Sequence, residues 1–300
     1  MKRKRATTNI FIKSLIKDKI PAIKLKSIKF LGCGADNDAY LINNLLILRF
    51  PKPEYKKSHI EAKQLLELSN YIKLKIPKPL YIKKYNNKTF IVYESVPGQS
   101  LTKELLGSLN SKQVKKLFNQ VLEFLDQLHS FPVEKAKKLG VKEIDSFSNF
   151  KIFLNKCRKK AFKKLNEYET EGVEAIFKGY LENPLNFKYK PALLHDDFSI
   201  GHIFYDEKLK KAVGVIDFGD IIVNDPDRDL IYLFKFGKTF SNYLRSRKDF
   251  DLVKRKINFW LLTRDLDHFI KAIKNKNKEQ FDKERSDINE RIKSFYEFNS

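Results

Sequence analysis

The period of the apolar positions changes once along the chain, near residue 97. Before that point short apolar runs are cut by turn residues. Residues 27–31, 39–42 and 45–50 read as strands, separated by Gly32, Gly34, Asp36, Asn37 and the pair Asn43 and Asn44. Glycine and asparagine accept the left-handed backbone that tight turns demand. Pro51 and Pro53 end the third run, since proline has no amide to give to a ladder. A helix is predicted over 54–71, with Ile60, Leu65 and Leu68 on one face. Two further strands, 80–84 and 89–94, are joined through Asn86 and Asn87. Pro97 and Gly98 then break the pattern. Residues 111–130 carry Val114, Leu117, Phe118, Val121, Phe124, Leu125 and Leu128 at three- and four-residue spacing, which predicts an amphipathic helix. Further helices are expected over 146–166 and 172–181, loops and short strands over 191–220, and helix after Pro226 to the end. The expected class is α+β, strand-rich over 1–97 and helical over 98–300.

Composition narrows this. A chain of 300 residues corresponds to about two domains, and 42% hydrophobic with 13% aromatic residues excludes a disordered chain. Apolar runs such as 45–48 and 192–194 fall far short of the ~20 residues of a membrane span. The basic start Lys2, Arg3, Lys4, Arg5 resembles that of a secretory signal, but Lys13, Lys17 and Lys19 interrupt the apolar core such a signal needs. A cytoplasmic protein with no membrane partner is expected. Cys33 and Cys157 stand in no metal-ligand spacing, and no disulfide is expected of them. The net charge of +23 suits a polyanionic partner. The lysines are nevertheless scattered over the whole chain, which favours a solvated lysine surface over an obligate nucleic-acid partner.

The chemistry concentrates in two stretches. The first holds His195, Asp196, Asp197 and His202; the second runs from Val213 through Asp217, Phe218, Gly219 and Asp220. A carboxylate that ends an apolar run, as Asp217 does, is costly unless it meets a cation or hydrogen-bond donors. Phosphoryl transfer uses two such groups. One orients and deprotonates the attacking hydroxyl, and the other holds the magnesium that bridges the phosphates.

The order His195-x-Asp197-x-x-x-x-His202, then Ile216-Asp217-Phe218-Gly219-Asp220, closely resembles the catalytic and metal-binding segments of the antibiotic phosphotransferases. His202, where protein kinases carry Asn, resembles the aminoglycoside 2″-phosphotransferase branch. The resemblance implies a two-lobed protein-kinase-like fold, with a small strand-rich nucleotide lobe over 1–97, a larger helical lobe over 98–300 that carries the catalytic loop and acceptor site, and the nucleotide at the joint. It implies Asp197 as catalytic base, His202 and Asp217 as Mg2+ ligands, and His195 as a support of the loop. The segment Asp225, Pro226, Asp227, Arg228, Asp229, Leu230 also looks like the family, in which it buttresses the active site.

In the first lobe, Gly32 and Gly34 would let backbone amides approach the phosphates of ATP or GTP. Arg49 stands where the family carries a lysine on the phosphates, and Glu61 matches that lysine's partner. A planar fork replacing a compact ammonium is a departure from the pattern. Glu94 and Val96 would offer backbone groups to the purine, with Tyr93 at the entrance to the deeper pocket, where the residue bears on the choice between ATP and GTP.

For the acceptor the resemblance implies a cationic aminoglycoside, and Asp220, Trp260 and Asp267 are the candidate residues for it. Trp260 and Asp267 are seven residues apart and share a helix face. Against this stands the stretch holding Lys235, Lys238, Arg245 and Arg247, basic where that branch is acidic. Two alternatives stay open: a kinase of another small alcohol, amino sugar or phosphorylated metabolite, and a weakly catalytic kinase-like protein that binds nucleic acid. A monomer is expected.

Overall fold

The computed structural model describes residues 2–34, 36–52 and 57–299. Ala35 of the glycine loop, Pro53, the expected helix start at residue 54 and the terminal Ser300 lie outside the described residues. Two compact units are formed, Met1–Val141 with Ser199–Ile221, and Lys142–Phe198 with Ile222–Ser300. Residues 98–141 and 199–221, expected in the helical lobe, pack with the strand-rich unit.

In the first unit β1 (Ile28–Cys33), β2 (Asn37–Ile42), β3 (Leu46–Pro51), β4 (Pro79–Tyr85) and β5 (Lys88–Glu94) form an antiparallel sheet in the order β1-β2-β3-β5-β4. The asparagine pairs act as the sequence predicts. Asn43 and Asn44 (φ 53° and 57°) and Asn86 and Asn87 (φ 44° and 59°) turn the two hairpins in the left-handed region. A helix α1 (Lys2–Lys19) was not foreseen. Its Ile12, Leu15, Ile16 and Ile20 are buried with Tyr40, Ile42, Leu48, Phe90 and Val92. Lys13 and Lys17, which break the apolar run in sequence, are exposed on its other side. The alternate residues of β5, Ile91 and Tyr93, pack with Ala62 of α2 (Ser58–Leu68). The sheet thus carries a helix on each face, as a two-residue side-chain period requires.

After a short α3 (Lys103–Ser108) comes α4 (Ser111–His129). Asn110 caps it with Gln113 in a reciprocal box, and Leu117, Phe118, Val121, Phe124, Leu125 and Leu128 are buried. A short α5 (Val133–Lys138) follows. Strands Gln99–Ser100, Ile203–Asp206 and Lys211–Val215 make a small sheet packed on α4. Two glycines are needed here. Gly98 has φ 85° and a Cβ on it would stand 2.6 Å from the Tyr205 carbonyl oxygen. A Cβ on Gly214 would collide with the Val96 side chain and the Lys75 carbonyl.

The second unit is helical: α6 (Ser146–Lys160), α7 (Glu167–Leu181), α8 (Lys238–Ser246), α9 (Phe250–Asn275) and α10 (Lys278–Asn299). The expected helix over 146–166 ends earlier, at Lys160, because Asn166 caps the next helix with Glu169. The length expected as helix after Pro226 begins as 3-10 turns over Pro226–Phe236. α9 supplies the core. Phe259 stacks on Tyr180 (centroids 3.6 Å apart, planes at 7°) and meets Phe150 and Phe177 edge-on at 4.8 and 4.9 Å. Among the described residues no helix is long and apolar enough to cross a membrane.

Candidate active site

In the first unit Arg49 sits in the middle of the sheet, in register with Ala39 of β2 and Ile91 of β5. Its Nη1 meets Glu61 Oε1 of α2 at 2.5 Å, and its Nη2 lies 4.0 Å from Asp217 Oδ1. Glu61 is buried, so the guanidinium is held by a desolvated carboxylate rather than left to solvent. Arg49 also bonds the Tyr93 hydroxyl, which is pushed up to about 12 chiefly by burial. The expected pairing of Arg49 with Glu61 is present, and Arg49 lies close to Asp217.

Asp217 is half exposed, with φ 71°. The neighbouring Phe218 is buried edge-on to Phe124 of α4, which anchors the turn and leaves the carboxylate outward. His202 Nε2 stands 3.6 Å from Asp217 Oδ2. The Ile216 amide donates to the His202 carbonyl at 2.9 Å, which ties the histidine to the strand end before Asp217. These two residues fit a divalent cation. The carboxylate is a hard oxygen donor with an open side, and the imidazole is a softer second ligand.

Gly32 lies near the end of β1 and Gly34 just after it. A Cβ on Gly32 would meet nothing within 4 Å and one on Gly34 only the Asn37 carbonyl at 3.5 Å, so the space above this backbone is open. Lys52 donates its amine to the Gly34 carbonyl. Glu94 closes β5 and pairs with Lys75 at 3.0 Å. The backbone of Lys75 also joins the strand that leads to Asp217, through Val215 N to Lys75 O at 2.9 Å. Val96 is buried against Gly214.

In the second unit strand Ala192–Leu194 pairs with Ile222–Asn224 and delivers the loop His195, Asp196, Asp197. Asp229 accepts hydrogen bonds from the His195 amide at 3.0 Å and the Asp196 amide at 2.9 Å. Asp196 has φ 62°, and Arg228 forks onto its carboxylate. Each charged member of the 225–229 segment has a fixed partner. Asp225 takes buried Lys256 at 2.7 Å, Asp227 takes Arg247 at 2.9 Å, and Arg228 and Asp229 take the loop. Burial raises the Asp225 carboxyl and Lys256 opposes that. The half-buried Asp197 lies within electrostatic reach of Tyr232, whose hydroxyl is raised first by burial and then by that carboxylate.

Tyr232 and Asp196 share the wall of a cavity of about 590 Å³ with Trp260 and Asp267. The structure therefore brings two of the three expected acceptor residues together. Asp220 is exposed on the turn after Gly219, in the first unit, and is not among the lining residues. Nor are Lys235 and Lys238. The residues that sequence reasoning missed are Tyr232 and the lining cations Lys156, Arg264 and Lys271. The spacing of Asp267 and Lys271, four apart on one helix, was the signal available for the last of these.

Comparison with known proteins follows the same lines. The model of the phosphotransferase enzyme family matches residues 27–265. The chain is similar to the solved GDP and kanamycin complex of APH(2″)-IIIa, with 26% identity over 95% of this chain and 99% of that one and a TM-score of 0.86. It is similar to the GDP complex of wild-type aminoglycoside 2′-phosphotransferase-IIIa, with 25% identity, coverage of 95% and 98% and a TM-score of 0.84. It is also similar to the gentamicin complex of APH(2″)-IIa, with 25% identity, coverage of 93% and 94% and a TM-score of 0.73. The expected α+β, protein-kinase-like fold is borne out by these matches.

Proposed function

The chain belongs to the phosphotransferase enzyme family, enzymes that use a nucleotide to phosphorylate hydroxyl groups, and from that premise we propose how its residues divide the work. Residues 1–97 hold the nucleotide, and residues 98–300 carry the catalytic loop and the acceptor site. Asp197 takes the proton of the acceptor hydroxyl as its oxygen attacks the terminal phosphorus of ATP or GTP. The bond from that phosphorus to its bridging oxygen breaks, and the nucleoside diphosphate leaves. Asp217 and His202 are the ligands for Mg2+, which when bound neutralises phosphate charge. Arg49, fixed by Glu61, and the backbone at Gly32 and Gly34 position the phosphates, while backbone groups of Glu94 and Val96 meet the purine. GTP is the first donor to test, in line with the two GDP-bound relatives, and ATP the second.

The observation that carries this reading is the holding of the 195–197 loop. Asp229 and Arg228 fix its backbone and its Asp196 side chain, so Asp197 is presented on a rigid support beside a cavity of small-molecule size. The test is mass spectrometry of products from the wild type and Asp197→Asn, with Mg2+, either nucleotide and a panel of acceptors. A phosphorylated product from the wild type, reduced ~10²–10⁴-fold in the variant, is expected. Equal turnover by both removes Asp197 from the role of base.

For the acceptor, an aminoglycoside is the reading supported by relatives bound to kanamycin and gentamicin. A second reading, a small alcohol or metabolite bearing negative charge, is favoured by the lining of the cavity itself.

A further inference from the structure

The cavity of the second unit is a basic site. Four cations, Lys156, Arg228, Arg264 and Lys271, line it against two carboxylates, Asp196 and Asp267. Neither carboxylate awaits a ligand. Arg228 forks onto Asp196. Asp267 receives Lys156 at 2.6 Å on one oxygen and Lys271 at 2.8 Å on the other. Burial works against the Asp267 charge, but the hydrogen bonds from Lys156 and Lys271 outweigh it and hold the carboxyl below its ordinary range. Arg264 leans on Asp265 behind the wall, where the second oxygen is already met by Arg291 at 3.2 Å. Asp196, Asp267 and Asp265 are therefore each matched or outnumbered by the cations beside them.

A polycation entering this space would find both lining carboxylates already paired with cations of the protein. It would also have to displace or approach lysines within the ~8 Å over which salt fails to screen like charge. An anion meets the opposite situation. Lys271 is 60% exposed at its side chain, so its amine can turn from the shared carboxylate to a ligand at small cost. Lys156 and Arg264 flank it, and the aromatic faces of Tyr232 and Trp260 suit the ring or carbon skeleton of a sugar.

Resting on the phosphotransferase reading above, we propose that the acceptor is an anionic alcohol, a sugar or polyol that carries a phosphate or carboxylate held by Lys271, Lys156 and Arg264 while its hydroxyl is presented to Asp197. The shared chemistry is an oxyanion on a small polyhydroxy compound, and the two sources are separated in the test.

Steady-state turnover would be measured with Mg2+ and saturating nucleotide on a hexose monophosphate, gluconate, glucose and kanamycin. Expected is product from the phosphate or the carboxylate compound, with kcat/KM roughly tenfold or more above glucose and kanamycin. Whichever of the two is turned over identifies the oxyanion. Lys271→Glu should raise the KM for that compound by about tenfold, with a smaller change in kcat, and lower the KM for kanamycin. Lys271→Glu places a second carboxylate one turn from Asp267 and should melt slightly below the wild type, and Lys271→Gln should fall between the two. A preference for kanamycin, no product from either anion, or a KM indifferent to Lys271→Glu overturns the proposal. Mg2+-dependent binding of a fluorescent GTP analogue separates the failures. If it binds and no anion is phosphorylated, the acceptor class alone is wrong. If it does not bind, the phosphotransferase reading falls, and this proposal with it.

Discussion

Asp196 and Asp217 are both held at positive φ, 62° and 71°, in a region that a residue with a Cβ enters at a cost of about 1–3 kcal/mol unless its side chain tolerates it. Aspartate and asparagine tolerate it best after glycine. This separates charge from conformation at Asp217. Asp217→Asn should melt with the wild type and lose ~10²-fold or more of metal-dependent turnover, whereas Asp217→Val should also lose about 1–3 kcal/mol of stability in a urea titration. Unchanged turnover in the asparagine variant would take Asp217 out of the site. Arg49 makes a different prediction. Its partner Glu61 has a side chain only 4% exposed, so Arg49→Met takes a cation from a buried carboxylate and should cost about 3 kcal/mol. A loss below about 1 kcal/mol would mean that Glu61 is satisfied without it. The motif residues were legible because they lie within a few positions of one another in sequence: 195 to 197, 202, and 217 to 219. Asp229 and Arg228 were placed near the loop by resemblance alone, and only the fold shows which amides and which carboxylate they hold.

At the level of elements, α7 and α10 are joined by one buried group. Glu169 receives the Arg285 fork at 2.7 and 2.8 Å and the Asn289 amide at 2.7 Å, and also caps its own helix through the Asn166 amide. Burial opposes its charge, but Arg285, the Asn166 amide and Asn289 outweigh that and hold it below the usual carboxylate range. The sign follows directly. A depressed folded value contributes stability above the unfolded value near ~4.3, and the contribution disappears as pH falls through the lower folded one. Glu169→Gln should therefore cost about 1.5–3 kcal/mol at neutral pH, with the gap to wild type closing below about pH 4 in chemical denaturation. A gap constant with pH would deny the ionised bond. Elements with a clean period were legible, α4 and the five strands above all. α1 was hidden because Lys13, Lys17 and Lys19 break the run, although Ile12, Leu15, Ile16 and Ile20 keep helical spacing beneath them. The cavity lining was not legible, since Lys156 and Asp267 meet across 111 residues of chain, and no local pattern encodes which faces of α6 and α9 oppose each other.

Over the whole molecule, the net charge of +23 favours any bound polyanion and self-repels without one. A nucleotide with its metal that binds only the folded chain should stabilise it by ~2.7 kcal/mol at about a hundredfold excess over its Kd. A thermal scan with GTP and Mg2+ should show this shift, and a chelator should remove most of it. A shift indifferent to the chelator would mean that the phosphates are held by basic side chains alone. The segment that holds the 195–197 loop and the residues that line the cavity also have separate mutational fates. The loop is held by the 225–229 segment, while the charge of the cavity is set largely by Lys156, Arg264, Asp267 and Lys271 on α6 and α9. Substitutions at these four positions leave the loop's own hydrogen bonds intact. On the proposed reading of that cavity, a lineage could change what it phosphorylates by substitutions there while the hydrogen bonds that hold the loop stay in place.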